Sequence, residues 1–262
     1  MRFEGKTALI TGGGTGIGAA IAQRIAADGG RVALMGRRRD KLEAVAGPIG
    51  GLVVEGDAAN RNHVAAAIGQ VEARHGQLDI LVANAGGHGL GSALDTDDAS
   101  WAEALHSNLN TAFVCVRESL PSLIQTRGNV VIISSIAGLF AGPEVVGYVT
   151  SKHALIGLTR SIARDYGPKG VRINALCPGW VRTAMADEQM EVVREKHLLG
   201  SIDEAYALVT KHVPLRRPAE PSEVANVACF LASSEASMIC GAVISVDGGA
   251  GAVDLPTRAF AD

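Results

Sequence analysis

Seven short aliphatic runs, Ala8–Ile10, Val32–Met35, Leu52–Val54, Ile80–Val82, Val130–Ile133, Arg172–Leu176 and Val243–Val246, recur along this chain with longer amphipathic stretches between them. Several of the runs are apolar at consecutive positions, so both faces of the strands they form must be covered. That favours a parallel sheet lying between helices over an antiparallel sheet with one wet face. Strand and helix in repetition give a doubly wound α/β fold. A length of 262 residues suits one such domain.

The rhythm weakens between Thr183 and Pro218, where the chain carries Met185, Met190, two helix-like stretches, His197 and His212 before Pro214 and Pro218. Long excursions in compact domains commonly serve as lids or binding segments. The expectation is a helical flap over a site, with surface decoration as the alternative. No internal repeat or low-complexity tract interrupts the chain, and the last dozen residues, with Pro256 and Asp262, read as a tail.

Composition removes several classes of function. An apolar content of 47% allows a substantial core, while a net charge of −3 offers no concentrated basic surface for a polyanion. The run Arg37-Arg38-Arg39 is too short to supply one, so nucleic acid is not an expected partner. The uncharged stretch from Gly128 to Pro143 is broken by Ser134, Ser135 and glycines and is shorter than a bilayer requires. Met1-Arg2-Phe3-Glu4 leads into a strand without the apolar run of a signal peptide, and no membrane span is expected. Cys115, Cys177, Cys229 and Cys240 are widely spaced, which fits reduced thiols and a cytoplasmic location. The histidines at 63, 75, 106, 153, 197 and 212 show no ligand spacing, so no metal site is expected.

The 32 glycines call for turns and close backbone approaches. Their densest cluster, Thr11-Gly12-Gly13-Gly14-Thr15-Gly16-Ile17-Gly18, follows the first strand and opens into Ala19-Ala20-Ile21-Ala22. Glycines admit phosphate oxygens to the backbone, and a helix N-terminus presents unpaired N–H groups and a favourable dipole. A dinucleotide pyrophosphate fits this arrangement, and a glycine turn without a ligand is the alternative.

Tyr148 and Lys152 lie four residues apart, and Ser135 lies thirteen residues before Tyr148. On a helix, i and i+4 share a face, so a phenol and an ammonium can enter one cleft, where the positive charge favours the phenolate. With a serine hydroxyl beside them, the group could hold a carbonyl oxygen and exchange a proton with it. Ser134 reads as structural. Trp101 reads as packing, and His88 edges toward the same cleft.

Gly12-x-x-x-Gly16-x-Gly18, Asn84-Ala85-Gly86 after the fourth strand, Asn108, Ser135, Tyr148-x-x-x-Lys152, Pro178-Gly179 and Val246-Asp247-Gly248-Gly249 together resemble the short-chain dehydrogenase/reductase family, from Lys6 to about Gly249. The resemblance implies a Rossmann fold and an NAD(P)-dependent oxidoreductase acting on CH–OH groups. It places the pyrophosphate against Gly12, Thr15, Gly16, Ile17 and Gly18, the adenine beside Asp57 and Ala58, and Asn84, Ala85 and Gly86 along the cofactor. Pro178, Gly179, Val181 and Thr183 are similar to the loop over the nicotinamide. The implied catalytic set is Asn108, Ser135, Tyr148 and Lys152, with Tyr148 as acid/base, Lys152 also orienting the nicotinamide ribose, and Asn108 holding a water for proton relay. Asn110 is the competing asparagine.

Cofactor choice falls at the end of the second strand. An acidic residue there would bind the ribose 2′-hydroxyl, but this chain has Gly36-Arg37-Arg38, whose guanidiniums suit a 2′-phosphate. NADP(H) is therefore expected ahead of NAD(H), against the absence of a basic residue at Thr15. The substrate is expected to be a partly apolar alcohol or ketone, such as a 3-oxoacyl thioester, lying among residues 87–93, 139–145 and 183–212. A sugar-nucleotide epimerase or dehydratase and a non-catalytic dinucleotide sensor are the rival classes. The resemblance further implies a homotetramer built through the helices of Asn108 and Tyr148 and through the last strand with its preceding helix.

Overall fold

The structure is a computed structural model describing residues 1–254 and 256; most of the expected tail lies outside the described residues. Seven strands form one parallel sheet in the order β3-β2-β1-β4-β5-β6-β7. They are β1 Thr7–Thr11, β2 Arg31–Gly36, β3 Leu52–Glu55, β4 Ile80–Ala83, β5 Asn129–Ile133, β6 Arg172–Pro178 and β7 Val243–Val246. Each of the seven aliphatic runs is one of these strands.

Alternate residues of a strand serve opposite layers. Leu9 packs with α3 (Arg61–His75), α5 (Thr111–Thr126) and α6 (Val146–Tyr166), whereas Ala8 and Ile10 pack with α1 (Gly16–Ala27), α2 (Arg39–Ile49) and α9 (Pro221–Ala232). This is the period-two alternation of a strand buried on both faces. Each fully buried Leu or Ile contributes about 1.5–3 kcal/mol, and Leu9, Ile10, Ile21, Ile25, Leu34, Leu81 and Leu123 are all completely buried.

The chain runs outward from β1 to β3, then returns through α3 to place β4 against the other side of β1. Strand order reverses there, and in such sheets the crevice beyond the strand C-termini takes the ligand. The helix before β5 is not uniform. α4 (Asp98–Leu105) widens into a π turn over His106–Asn110 before α5 begins. The 183–218 excursion forms α7 (Ala184–Lys196) and α8 (Ile202–Val209), which pack against each other.

Candidate active site

A cleft opens at the C-terminal ends of β1, β2, β4 and β5, running from Gly36, Arg37 and Arg38 past the glycine turn to Tyr148 and Lys152. Its floor is the glycine turn. Gly12 and Gly16 have φ of 63° and 52°, the left-handed region that glycine adopts without strain. A Cβ on Gly18 would lie 2.4 Å from the Gly12 carbonyl oxygen and 2.6 Å from Asn84 Nδ2, so α1 can approach the turn only with glycine at that position. Thr15 caps α1 in extended conformation without a side-chain hydrogen bond to the helix, leaving the first N–H groups of α1 without that internal acceptor. A backbone cradle at an uncapped helix start fits a dinucleotide pyrophosphate.

Asn84 fastens this cradle to β4. Its Nδ2 donates to Thr11 O at 3.0 Å and Gly12 O at 3.2 Å, while Thr11 Oγ1 accepts from the backbone N–H groups of Asn84 and Ala85 at 3.1 and 3.0 Å. Thr111 then ties α5 to the same loop by donating to Ala85 O at 3.1 Å. Asp57, on the cleft wall with Ala58, accepts from Ala59 N at 2.9 Å and faces His106 Nε2 at 3.6 Å.

At the outer end of the cleft Arg37 and Arg38 are exposed, and among the described residues neither guanidinium has a hydrogen bond or ion pair. Arg39 instead bonds Glu43 at 2.7 Å. Lys41 joins the two arginines on the wall.

At the inner end α6 carries Tyr148 and Lys152 on one face. Lys152 is 5% exposed; its Nζ donates to Ile133 O at 3.2 Å and stands 5.4 Å from the centre of the Tyr148 ring. An ammonium has three protons to donate, so the Ile133 bond leaves donors for the cleft. Ser134 Oγ donates to Lys152 O at 2.9 Å, which gives Ser134 a structural place on α6. Ser135 Oγ accepts from Ala137 N at 3.1 Å, using a lone pair and leaving its O–H free to donate.

Asn108 lies within the π turn, 1% exposed. Its Oδ1 accepts from Gly87 N at 3.1 Å and its Nδ2 donates to His88 O and Ala104 O, each at 3.0 Å. A Cβ on Gly86 would lie 3.2 Å from Asn108 Oδ1 and 3.7 Å from Lys152 Nζ, so the asparagine and the lysine flank one glycine. A π turn inside an α-helix frequently marks a functional position.

Thr183 lies opposite the glycine turn, its Cγ2 3.0 Å from where a Gly16 Cβ would be, and caps α7 by accepting from Ala186 N at 3.2 Å. Pro178 pairs with Val246, and Gly179 packs against Asp247. Val181 is buried with the α9 side of the core and bridges Ala219. Gly18, Ser135, Pro178, Gly179 and Val181 are not among the wall residues of the cleft, whereas Thr15, Gly16, Ile17, Asn84, Asn108, Tyr148, Lys152 and Thr183 are.

A family model described as enoyl-(acyl carrier protein) reductase matches residues 12–251. The chain is 48% identical to protein MoaE of Klebsiella aerogenes, covering 98% of this chain and 99% of that one. It is 37% identical to meso-2,3-butanediol dehydrogenase of Serratia marcescens, covering 97% and 98%. The chain belongs to the short-chain dehydrogenase/reductase family. A levodione reductase structure superimposes with a TM-score of 0.91 at 30% identity, covering 97% of this chain and 100% of that one. The short-chain dehydrogenase/reductase fold is thus shared over the whole sheet, and the protein is an oxidoreductase.

Thr11, Lys41, His106 and Thr111 join the site of this short-chain dehydrogenase/reductase without being among its expected residues. Lys41 carried a signal, as the fourth basic residue within five positions. Thr11 and Thr111 carried none, because their partners are backbone atoms far along the chain.

Proposed function

We propose that the protein interconverts a secondary alcohol and a ketone, with NADP(H) preferred over NAD(H). The observation that carries this reading is the convergence of Tyr148 and Lys152 on the inner end of a cleft whose floor is the glycine cradle. A bound nicotinamide dinucleotide supplies or accepts the hydride. Tyr148 holds the substrate oxygen and moves its proton, Ser135 donates to the same oxygen and stabilises charge developing there, and Lys152 binds the ribose hydroxyls through the donors left beyond Ile133. Asn108 fixes the Gly87–His88 loop and keeps one Oδ1 lone pair for a relay water near Lys152.

Arg37, Arg38 and Lys41 at the outer end support a 2′-phosphate, since nothing else in the described structure engages the two guanidiniums. Relatives named for butanediol and levodione support the alcohol and ketone class. A 3-oxoacyl thioester is one member of that class. We read residues 183–218 as the flap over the substrate within a single domain, the cytoplasm as the location and a homotetramer as the assembly. Among the described residues no helix is long and apolar enough to cross a membrane.

Protein-bound cofactor fluorescence on titration with NADPH and with NADH, followed by turnover on a panel of ketones and secondary alcohols, tests the reading. Tighter NADPH binding and turnover of at least one ketone support it. Failure of every panel member with both cofactors overturns it.

A further inference from the structure

The flap has a small core of its own. Met190 of α7 and Tyr206 of α8 are buried with Ala186 and Ala205, supported by Trp180 and Val193, separately from the two clusters that cover the sheet. Internal polar contacts hold the pair of helices together. Tyr206 donates to Asp187 Oδ1 at 2.8 Å, and Arg182, at the root of α7, lies 4.7 Å over the Tyr206 ring and bonds Asp203. Burial and the Asp187 carboxylate push the Tyr206 phenol well above its ordinary range, so it stays a neutral donor. The two helices therefore form one unit, joined to the sheet at its ends.

Across the cleft from that unit lies the loop after β4. It is fixed on both sides: Asn108 bonds Gly87 and His88, while the N–H groups of Tyr148 and Val146 donate to Gly89 O and Gly91 O, each at 3.1 Å. The His88 imidazole points from this fixed loop to the flap. Its Nδ1 is 3.3 Å from Gln189 Nε2, and its Nε2 is 3.5 Å from Glu188 Oε2. Among the described residues, the polar side-chain contacts that join α7 or α8 to the loop after β4 both end on this one ring. His88, Met185 and Glu188 stand together on the cleft wall.

We infer that His88 is a positioning residue: with Glu188 and Gln189 it clasps the flap to the wall that carries the Asn108 and Tyr148 contacts, and so sets how the carbonyl substrate is held. This rests on the oxidoreductase reading above. The imidazole is part-exposed and such contacts are individually modest, so the effect belongs in substrate binding, with the chemical step left to Tyr148.

The test combines two readouts on the NADPH-loaded protein. Hydrogen exchange of residues 184–209 should quicken about fivefold in His88→Ala and in the Glu188→Ala/Gln189→Ala pair, with no further increase when the three are combined. KM for the ketone should rise by a similar factor with kcat changed less than twofold, and His88→Gln, which can still bond Gln189, should restore most of the loss. Unchanged exchange in the flap, full additivity of the variants, or a fall in kcat alone overturns the clasp. Should His88→Ala loosen the sheet as well, the pair of exposed Glu188 and half-buried Gln189, both on α7, decides. Failure of the oxidoreductase reading is separately visible as absence of turnover in the unmodified protein, and the exchange readout needs no turnover.

Discussion

The Lys152 ammonium sits 5.4 Å from the centre of the Tyr148 ring while bonded to the Ile133 carbonyl at the end of β5. One charge thereby joins the Tyr148 face of α6 to the C-terminal end of β5. Tyr148→Phe keeps the ring and this packing and removes only the hydroxyl. Turnover should fall by at least about a hundredfold, as for loss of a general acid/base, with NADPH affinity within twofold. Stopped-flow turnover and fluorescence titration check both, and unchanged turnover removes Tyr148 from the mechanism.

Gly36 has room for a side chain, since a Cβ there would meet only Leu42 at 3.5 Å. Gly36→Asp with Arg37→Ser should lower the ratio of NADPH to NADH kcat/KM by at least about tenfold, because a carboxylate accepts from a ribose 2′-hydroxyl and repels a phosphate. Measuring that ratio in both proteins checks it. A parent protein that already prefers NADH would reduce the arginines to surface charges.

Gly18→Ala should damage cradle and fold together. The added methyl cannot remain 2.4 Å from Gly12 O, so α1 must back away from the turn. Overpacking of this kind costs about 1–3 kcal/mol, read as a lower Tm. Cofactor affinity should drop further than stability alone explains, which titration at a temperature well below Tm separates.

Gly157, on the outer face of α6, has nothing within 4 Å of where its Cβ would be. Gly157→Arg should therefore leave the isolated fold intact while disrupting the proposed tetramer if that face is buried between copies. Light scattering coupled to gel filtration should give a larger assembly for the parent and smaller species for the variant. A parent mass of one chain, 27.0 kDa, defeats the tetramer.

Burial pushes the Cys115 and Cys229 thiols up to about 12 and raises Cys177 as well, whereas Cys240 is exposed. A thiol above its usual range stays protonated and inert. An aromatic disulfide reagent at pH 8 should titrate one fast thiol per chain, and Cys240→Ser should abolish it.

The strands were legible because burial on both faces leaves unbroken aliphatic runs, and the cradle because only glycine tolerates its φ values and approaches. The pairing of Tyr148 with Lys152 followed from helical spacing alone. The π turn at His106–Asn110 was not legible, since one extra residue in a helix leaves no periodic trace over five positions. Asn108 lies within that turn, and its bonds to Gly87 and His88 reach about twenty positions back along the chain, beyond any local pattern. The nearness of Asp57 to His106, residues 49 positions apart, depends on how α4 and the π turn cross the sheet end. No local pattern encodes that crossing.

The separate core of α7 and α8 bears on how such a protein diversifies. Met190 and Tyr206 hold the flap together from within, so its cleft-facing Met185 is released from the packing constraints that govern the sheet. Mutational drift there can change which molecule fits while the cradle and the tyrosine keep their places. A change at such a position would reshape the cleft wall while leaving both the flap's internal core and the glycine turn where they are.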